Sequence, residues 1–157
     1  MSTLVPMSPE AFQAFAAETR EAYAQDHVRA GNWSSSEALS KATAQFDQLL
    51  PQGIDTPDHL FFEIHDHSGR TIGVVWFAVV GTGEAKAGHV FDIRIRPECQ
   101  RRGFGKLALR ALESIAVEMG LPAIRLNVFG HNPGAEALYR SLGYVVTASS
   151  MRKALTP

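Results

Sequence analysis

The chain has 157 residues, enough for one compact domain and too few for two of ordinary size, and its balance of 45% hydrophobic to 20% charged residues is that of a globular protein. Its 15 Lys and Arg are offset by 16 Asp and Glu, a net charge of -1, which argues against a general nucleic-acid binder because phosphate-backbone recognition needs a basic surface. A lone cysteine, Cys99, excludes an intramolecular disulfide and suits a reducing compartment.

No apolar run approaches the roughly 20 residues needed to cross a bilayer. The start "MSTLVPMSPE" lacks a charged region followed by an apolar one. The expectation is a cytoplasmic protein with one domain over residues 1–157, no membrane or nucleic-acid partner, and a homodimer left open.

In chain order, "SPEAFQAFAAETREAYAQ" opens with Ser8 as a cap and Pro9 at the first helical position. Phe12, Phe15, Ala16, Thr19 and Tyr23 then fall on one face, which predicts a helix. "SSSEALSKATAQFDQLLPQG" predicts a second, with Ser34 and Glu37 as a capping box, Ala38, Ala42, Phe46 and Leu49 as its apolar positions, and Pro51 and Gly53 as its stop. "HLFFEIHD", the turn "HSGR" and "TIGVVWFAVV" predict a β-hairpin. "HVFDIRIR" alternates strictly, so Phe91, Ile93 and Ile95 are expected on one face and Val90, Asp92 and Arg94 on the other. A helix follows over 106–119, ended by Gly120 and Pro122. Then come a strand "AIRLNVF", a short helix "NPGAEALYRSL" and a last strand "GYVVTASSMRK". The order ααβββαβαβ implies an α/β fold, a mixed central β-sheet flanked by helices.

Chemistry concentrates at "QRRGFG", residues 100–105, between a strand and a helix. A glycine-rich turn there leaves backbone N–H groups unpaired at the positive end of the helix dipole, which favours phosphate oxygens. Gly103 and Gly105 allow close approach of a ligand, and Arg101, Arg102 and Lys106 add local positive charge. Read alone, the hexapeptide is equally a tight turn flanked by solvated arginines. It lacks the Gly-Lys-Ser/Thr ending of a P-loop and the third glycine of a dinucleotide fingerprint.

The stretch resembles the Q/R-x-x-G-x-G/A signature of the GNAT superfamily of N-acetyltransferases. "LNVFGHNPGAEALYRSLGY" is similar to that family's second motif through Asn127, Asn132, Ala135, Leu138, Tyr139, Gly143 and Tyr144. The resemblance spans about residues 89–153 and implies a single-domain GNAT fold that uses acetyl-CoA as cosubstrate. It implies that Gln100, Arg101, Arg102, Gly103, Phe104, Gly105 and Lys106 hold the pyrophosphate, and that the backbone of Ile93, Arg94 and Ile95 binds the acetyl and pantetheine groups. Asn132 would reach the CoA arm, and Tyr139 would protonate the leaving thiolate. The activity implied is transfer of an acetyl group to a primary amine of a small molecule or a protein. The alternative is a CoA-binding sensor without catalysis.

An amine with a pKa of about 10.4 is protonated at pH 7, so a base or a water chain is needed. Asp92 is the catalytic candidate, with Glu63, His59 and His89 as alternatives. "LLPQGIDTPDHLFF" resembles a Thr-Pro-x-His segment of one bacterial branch of the superfamily, which nominates Thr56 and His59 for the acceptor side, and Glu63 lies on the hairpin expected to border that pocket. Trp76 either lines that pocket or, by default, fills the core. His65 and His67 lack a third ligand at useful spacing, so no metal is expected. Cys99 has no histidine placed to make it a nucleophile.

Overall fold

Residues 3–155 are described by a computed structural model. The hairpin predicted from β-branched and aromatic runs forms β2 (His59–His65) and β3 (Thr71–Val80), and β4 (Ala87–Ile95) continues the meander. With β1 (Thr3–Pro6) and β5 (Ile124–Leu126) they make a five-stranded sheet in the order β1-β2-β3-β4-β5. The pairs are antiparallel up to β4, and β5 runs parallel to β4.

Helix α1 (Pro9–Arg29) begins as its sequence requires: the Ser8 hydroxyl accepts the Ala11 N–H at 3.1 Å and Pro9 fills the first position. Helix α2 (Ala38–Leu49) forms only half of the expected capping box, because the Glu37 carboxylate accepts the Ser34 N–H at 3.2 Å while Glu37 itself is the cap residue. Helices α3 (Phe104–Glu118) and α4 (Pro133–Ser141) complete the fold.

Alternation along the hairpin sorts its side chains onto two faces. Phe61 and Trp76 join Phe12, Phe15 and Phe46 under α1 and α2. Phe62, Ile64, Val75 and Phe77 join Ala108 and Leu112 of α3 on the opposite face. Fully buried side chains such as Ile64, Phe77 and Leu112 each contribute about 1.5–3 kcal/mol relative to exposure. The sheet is thereby clamped between two helical layers, and the junction of β4, β5 and α3 is held at its edge.

Two elements differ from the sequence reading. The first, β1, was not expected: "TLVP" is four residues ending in a proline, which carries no strand periodicity, and only pairing of Thr3–Pro6 with 62–65 of β2 makes it an edge strand. The other is the last strand, "GYVVTASSMRK", which does not form. Residues 145–155 make no backbone hydrogen bond among the described residues, and β-propensity without a neighbouring strand does not produce one. Smaller differences lie at helix faces, where Tyr23, Leu49 and Met119 remain 38–43% exposed.

Candidate active site

The alternation expected for β4 breaks at Phe91. Trp76 of β3 lies opposite Asp92 and the next residue, Phe77, lies opposite Val90, so Phe91 is an extra residue in a β-bulge. The bulge corrects the face assignment: Val90, Ile93 and Ile95 pack toward α3, whereas Phe91 and Arg94 turn toward α1. The Phe91 ring fixes the distortion by stacking on Trp76 at 4.6 Å between centroids and meeting His89 edge-on at 4.5 Å.

The bulge coincides with a split in the sheet. β5 pairs only with Gly88, His89 and Val90, so among the described residues the edge of β4 from Phe91 onward has no strand beside it on that side. Backbone polar groups on such an edge are available to an extended ligand. The Gln100 side chain covers its far end, donating from Nε2 to the Ile95 carbonyl at 3.0 Å.

Just beyond lies the glycine turn. Gly103 adopts φ +82°, a left-handed conformation suited to glycine, and serves as the cap residue of α3 without a side-chain partner. The N–H groups of Phe104, Gly105 and Lys106, in the first turn, therefore have no intrahelical acceptor. A Cβ on Gly105 would sit 3.3 Å from Leu138 Cδ2, so this glycine lets α4 approach the start of α3. Arg101 and Arg102 are exposed and Lys106 is half-buried. Unpaired donors, a helix dipole and three cations at one point fit a pyrophosphate.

On the α1 side of β4, the Arg94 guanidinium donates to the Asp92 carboxylate at 2.8 Å and to the Thr19 hydroxyl of α1 at 2.8 Å. Asp92 is only 20% exposed. Burial pushes its carboxyl above the ordinary range, Arg94 opposes this, and the charge of Asp26 on α1 adds to the rise. Tyr139 of α4 stands near enough to feel Asp92: burial, then the Asp92 charge, push its phenol upward, so it keeps its proton at neutral pH. Its ring meets Tyr144 at 5.9 Å, and the Tyr144 hydroxyl donates to Glu113 at 3.0 Å.

The remaining candidates are not all brought together. His59 accepts the Trp76 indole N–H at Nδ1, 2.9 Å away, and burial lowers its pKa. Trp76, 4% exposed, belongs to the aromatic core. The Thr56 hydroxyl donates to the Gly53 carbonyl at 2.8 Å and accepts the Gln52 N–H at 3.1 Å, so its only proton is used within its own turn. His89 is half-buried and its pKa is lowered by burial and by Arg125. Glu63 accepts the Thr71 hydroxyl at 3.2 Å and stands in one cross-strand row with Val74 and Arg94. That row floors a groove of about 520 Å³ whose far wall includes Phe15 and Glu18 of α1. Asn132 caps α4 through Oδ1, accepting the Ala135 N–H at 3.3 Å, and its amide Nδ2 is left as a donor.

The side-chain link from Arg94 to Asp92 and Thr19 escaped the sequence reading, although Asp-x-Arg on one strand was a usable signal. So did an aromatic cluster in which His27 stacks on Trp33 at 4.0 Å and meets Phe129 at 5.2 Å. The cluster and a His131–Asp26 contact of 3.1 Å tie the end of α1 to the loop after β5. Nothing local in the sequence links segments about 100 residues apart.

A split beside a bulged β4, a glycine turn at the start of α3 and a tyrosine on α4 make one arrangement, and residues 16–144 match the acetyltransferase (GNAT) family. The chain belongs to that family. It is 30% identical over 153 residues to the uncharacterized N-acetyltransferase YdgE of Bacillus subtilis, with 98% of each chain covered. It is 30% identical over 152 residues to the uncharacterized N-acetyltransferase YycN of the same organism, with 97% of each covered. The crystal structure of YycN superposes with a TM-score of 0.95 at 29% identity over 100% of both chains. AAC(6')-Iy, solved with the bisubstrate analogue CoA-S-monomethyl-acetylneamine, shares the fold with a TM-score of 0.63 at 13% identity, covering 100% of this chain and 99% of that one. The protein is thus a GNAT acyltransferase, and the family uses acetyl-CoA. Among the described residues no group of three His, Cys, Asp or Glu side chains is gathered as a metal site, and no helix is long and apolar enough to cross a membrane.

Proposed function

We propose that the chain transfers the acetyl group of acetyl-CoA directly to a primary amine of a small molecule or protein, with Asp92 receiving the amine proton and Tyr139 donating to the departing sulfur. The observation that carries this reading is the split beside β4, which β5 pairs only at Gly88, His89 and Val90, next to the glycine turn that opens α3.

Acetyl-CoA would supply an activated thioester carbonyl whose sulfur leaves as a thiolate. The chain's own residues do the rest. The first-turn N–H groups of α3, with Arg101, Arg102 and Lys106, anchor the pyrophosphate, while Gln100, Phe104 and the two glycines shape the turn. The open edge of β4 at Ile93, Arg94 and Ile95 accepts the pantetheine as an added strand, and the Asn132 amide Nδ2 donates to the CoA arm. Placing both substrates on this scaffold removes much of the entropic barrier.

Asp92 suits the base role because burial makes it a stronger proton acceptor than an exposed carboxylate, and Arg94, itself anchored on Thr19, holds it in one orientation. His59 is less suited, since its Nδ1 is occupied by Trp76. The acceptor enters by the groove of Glu63, Arg94 and Glu18, where the carboxylates favour a cationic amine. Trp76 backs Phe15 of the groove wall from the core, His59 holds its indole, and Thr56 fixes the turn before β2.

The test is an acetyl-CoA turnover screen across polyamines, amino acids, aminoglycosides and lysine peptides, reading free thiol release. One amine class should stand out by at least about tenfold, the discrimination that 1.4 kcal/mol provides. Uniform background rates, with acetyl-CoA binding intact by calorimetry, would instead leave a CoA-binding module.

A further inference from the structure

Helix α4 carries Tyr139, the proposed donor to the departing sulfur, yet none of the helix's own residues is buried. A helix without a packed stripe is fixed by single contacts, and these decide where its side chains stand. Two such contacts reach α3. At the first, Leu138 lies against Gly105, where a Cβ would come within 3.3 Å of its Cδ2. The second passes through Tyr144, whose hydroxyl donates to the Glu113 carboxylate at 3.0 Å.

Tyr144 reaches back to Tyr139 because the chain reverses at Gly143. With φ +94° this glycine takes the left-handed conformation that ends a helix, and its N–H donates to the Arg140 carbonyl at 3.0 Å. The Tyr144 N–H then donates to the Tyr139 carbonyl at 3.1 Å, and the two rings meet at 5.9 Å between centroids with 60° between their planes. Burial, then the charge of Glu113 and the bond to it, push the Tyr144 phenol far up, so it remains a donor across the whole pH range of turnover. None of these contacts uses the Tyr139 hydroxyl.

We propose that Glu113 and Tyr144 are a positioning pair whose bond fixes Tyr139 relative to the bound cofactor. The inference rests on the assignment of Tyr139 to the sulfur. Glu113 stands on α3, the helix whose first turn is proposed to hold the pyrophosphate. One rigid helix thereby sets the distance between the anchor of the cofactor and the group that meets its sulfur.

Free CoA is the probe, because its thiol can be titrated on the protein without an acceptor amine, through the ultraviolet absorbance of the thiolate. A hydroxyl donating to the sulfur favours the thiolate, so in the unmodified chain the bound thiol should titrate below its ordinary pKa of about 8.5. Tyr139→Phe should raise that pKa by about 1, a tenfold change in the equilibrium. Tyr144→Phe leaves the Tyr139 hydroxyl in place, yet should give at least half of that rise, and adding it to Tyr139→Phe should give none beyond. Glu113→Gln keeps an acceptor oxygen and should titrate as the unmodified chain does, whereas Glu113→Leu should match Tyr144→Phe. Calorimetry with the thiol protonated should find CoA affinity within about threefold in every variant.

If Tyr139→Phe raises the thiol pKa while Tyr144→Phe and Glu113→Leu do not, the pair has no positioning role. Rises that add in the double variant overturn it as well, since Tyr144 would then act other than through Tyr139. A Tyr139→Phe chain that titrates like the unmodified one, or an unmodified chain that does not bind CoA, defeats the assignment of Tyr139 and the pair with it.

Discussion

Arg94 and Asp92, two residues apart on the same strand, are joined by a 2.8 Å bond from the guanidinium Nε to Oδ2. The same guanidinium reaches Thr19 of α1 through its other arm. One side chain thus couples the orientation of the carboxylate to the docking of a helix from the other end of the chain.

Arg94→Met keeps much of the apolar stem and removes both bonds. Asp92 then loses the charge that holds its pKa down, so the rise of activity with pH should move to higher pH. Thermal stability should fall by about 1–3 kcal/mol, the range for buried bonds to charged groups. An unshifted profile at reduced stability would reduce Arg94 to a structural tie.

Turnover should rise from pH 6 toward 8 or 9, because the acceptor amine and Asp92 both lose protons on the way. Stability should carry the opposite slope at this position. The folded carboxyl has a raised pKa, so the folded state holds the proton more tightly than the unfolded chain, whose Asp pKa is about 3.9. The resulting stabilisation is complete below that value and is lost as pH rises through the folded pKa. Melting temperatures of the unmodified chain relative to Asp92→Asn should therefore be highest near pH 4 and decline upward; a difference that grows with pH would refute the assignment.

Tyr139→Phe keeps the ring against Tyr144 and removes only the hydroxyl. Acetyl-CoA affinity should hardly change, while kcat falls by about 10²-fold, the low end for general acid catalysis. Assay below pH 7 is the sharper condition, because unassisted thiolate departure is least favourable there. Full activity under that condition would exclude the hydroxyl from the chemistry.

At Gly103 an added Cβ meets no protein atom within 4 Å, so the cost to folding is confined to its φ of +82°. Gly103→Ala should cost about 1–2 kcal/mol of stability for the left-handed backbone. Gly103→Val should in addition abolish measurable acetyl-CoA binding by filling the space beside the first turn of α3. Calorimetry on the folded variant checks this, and a dissociation constant within about threefold of the unmodified chain, under 1 kcal/mol, would place the pyrophosphate elsewhere.

What could be read in advance and what could not divide by physical range. Helix α1 was legible because its cap, its N1 proline and its apolar face are local, and the glycine turn because φ +82° at Gly103 is a demand on one residue. The family resemblance extended that local reading to Asn132 and Tyr139. The sequence alone therefore determined the four helices, the hairpin and the glycine turn, and its resemblance pointed to the acetyltransferase family. Tertiary structure decided which faces those elements present. The bulge at Phe91 arises from register against Trp76 and Phe77, and it reverses the face of every later residue of β4. Packing likewise decided that the Thr56 hydroxyl bonds within its own turn and that Trp76 takes the core position open to it in the sequence. Strand formation itself was of this kind: "TLVP" pairs because β2 lies beside it, and "VVTASS" does not because no strand of its own chain does. A helix satisfies its hydrogen bonds from within, whereas a strand exists only when another strand is there to receive it.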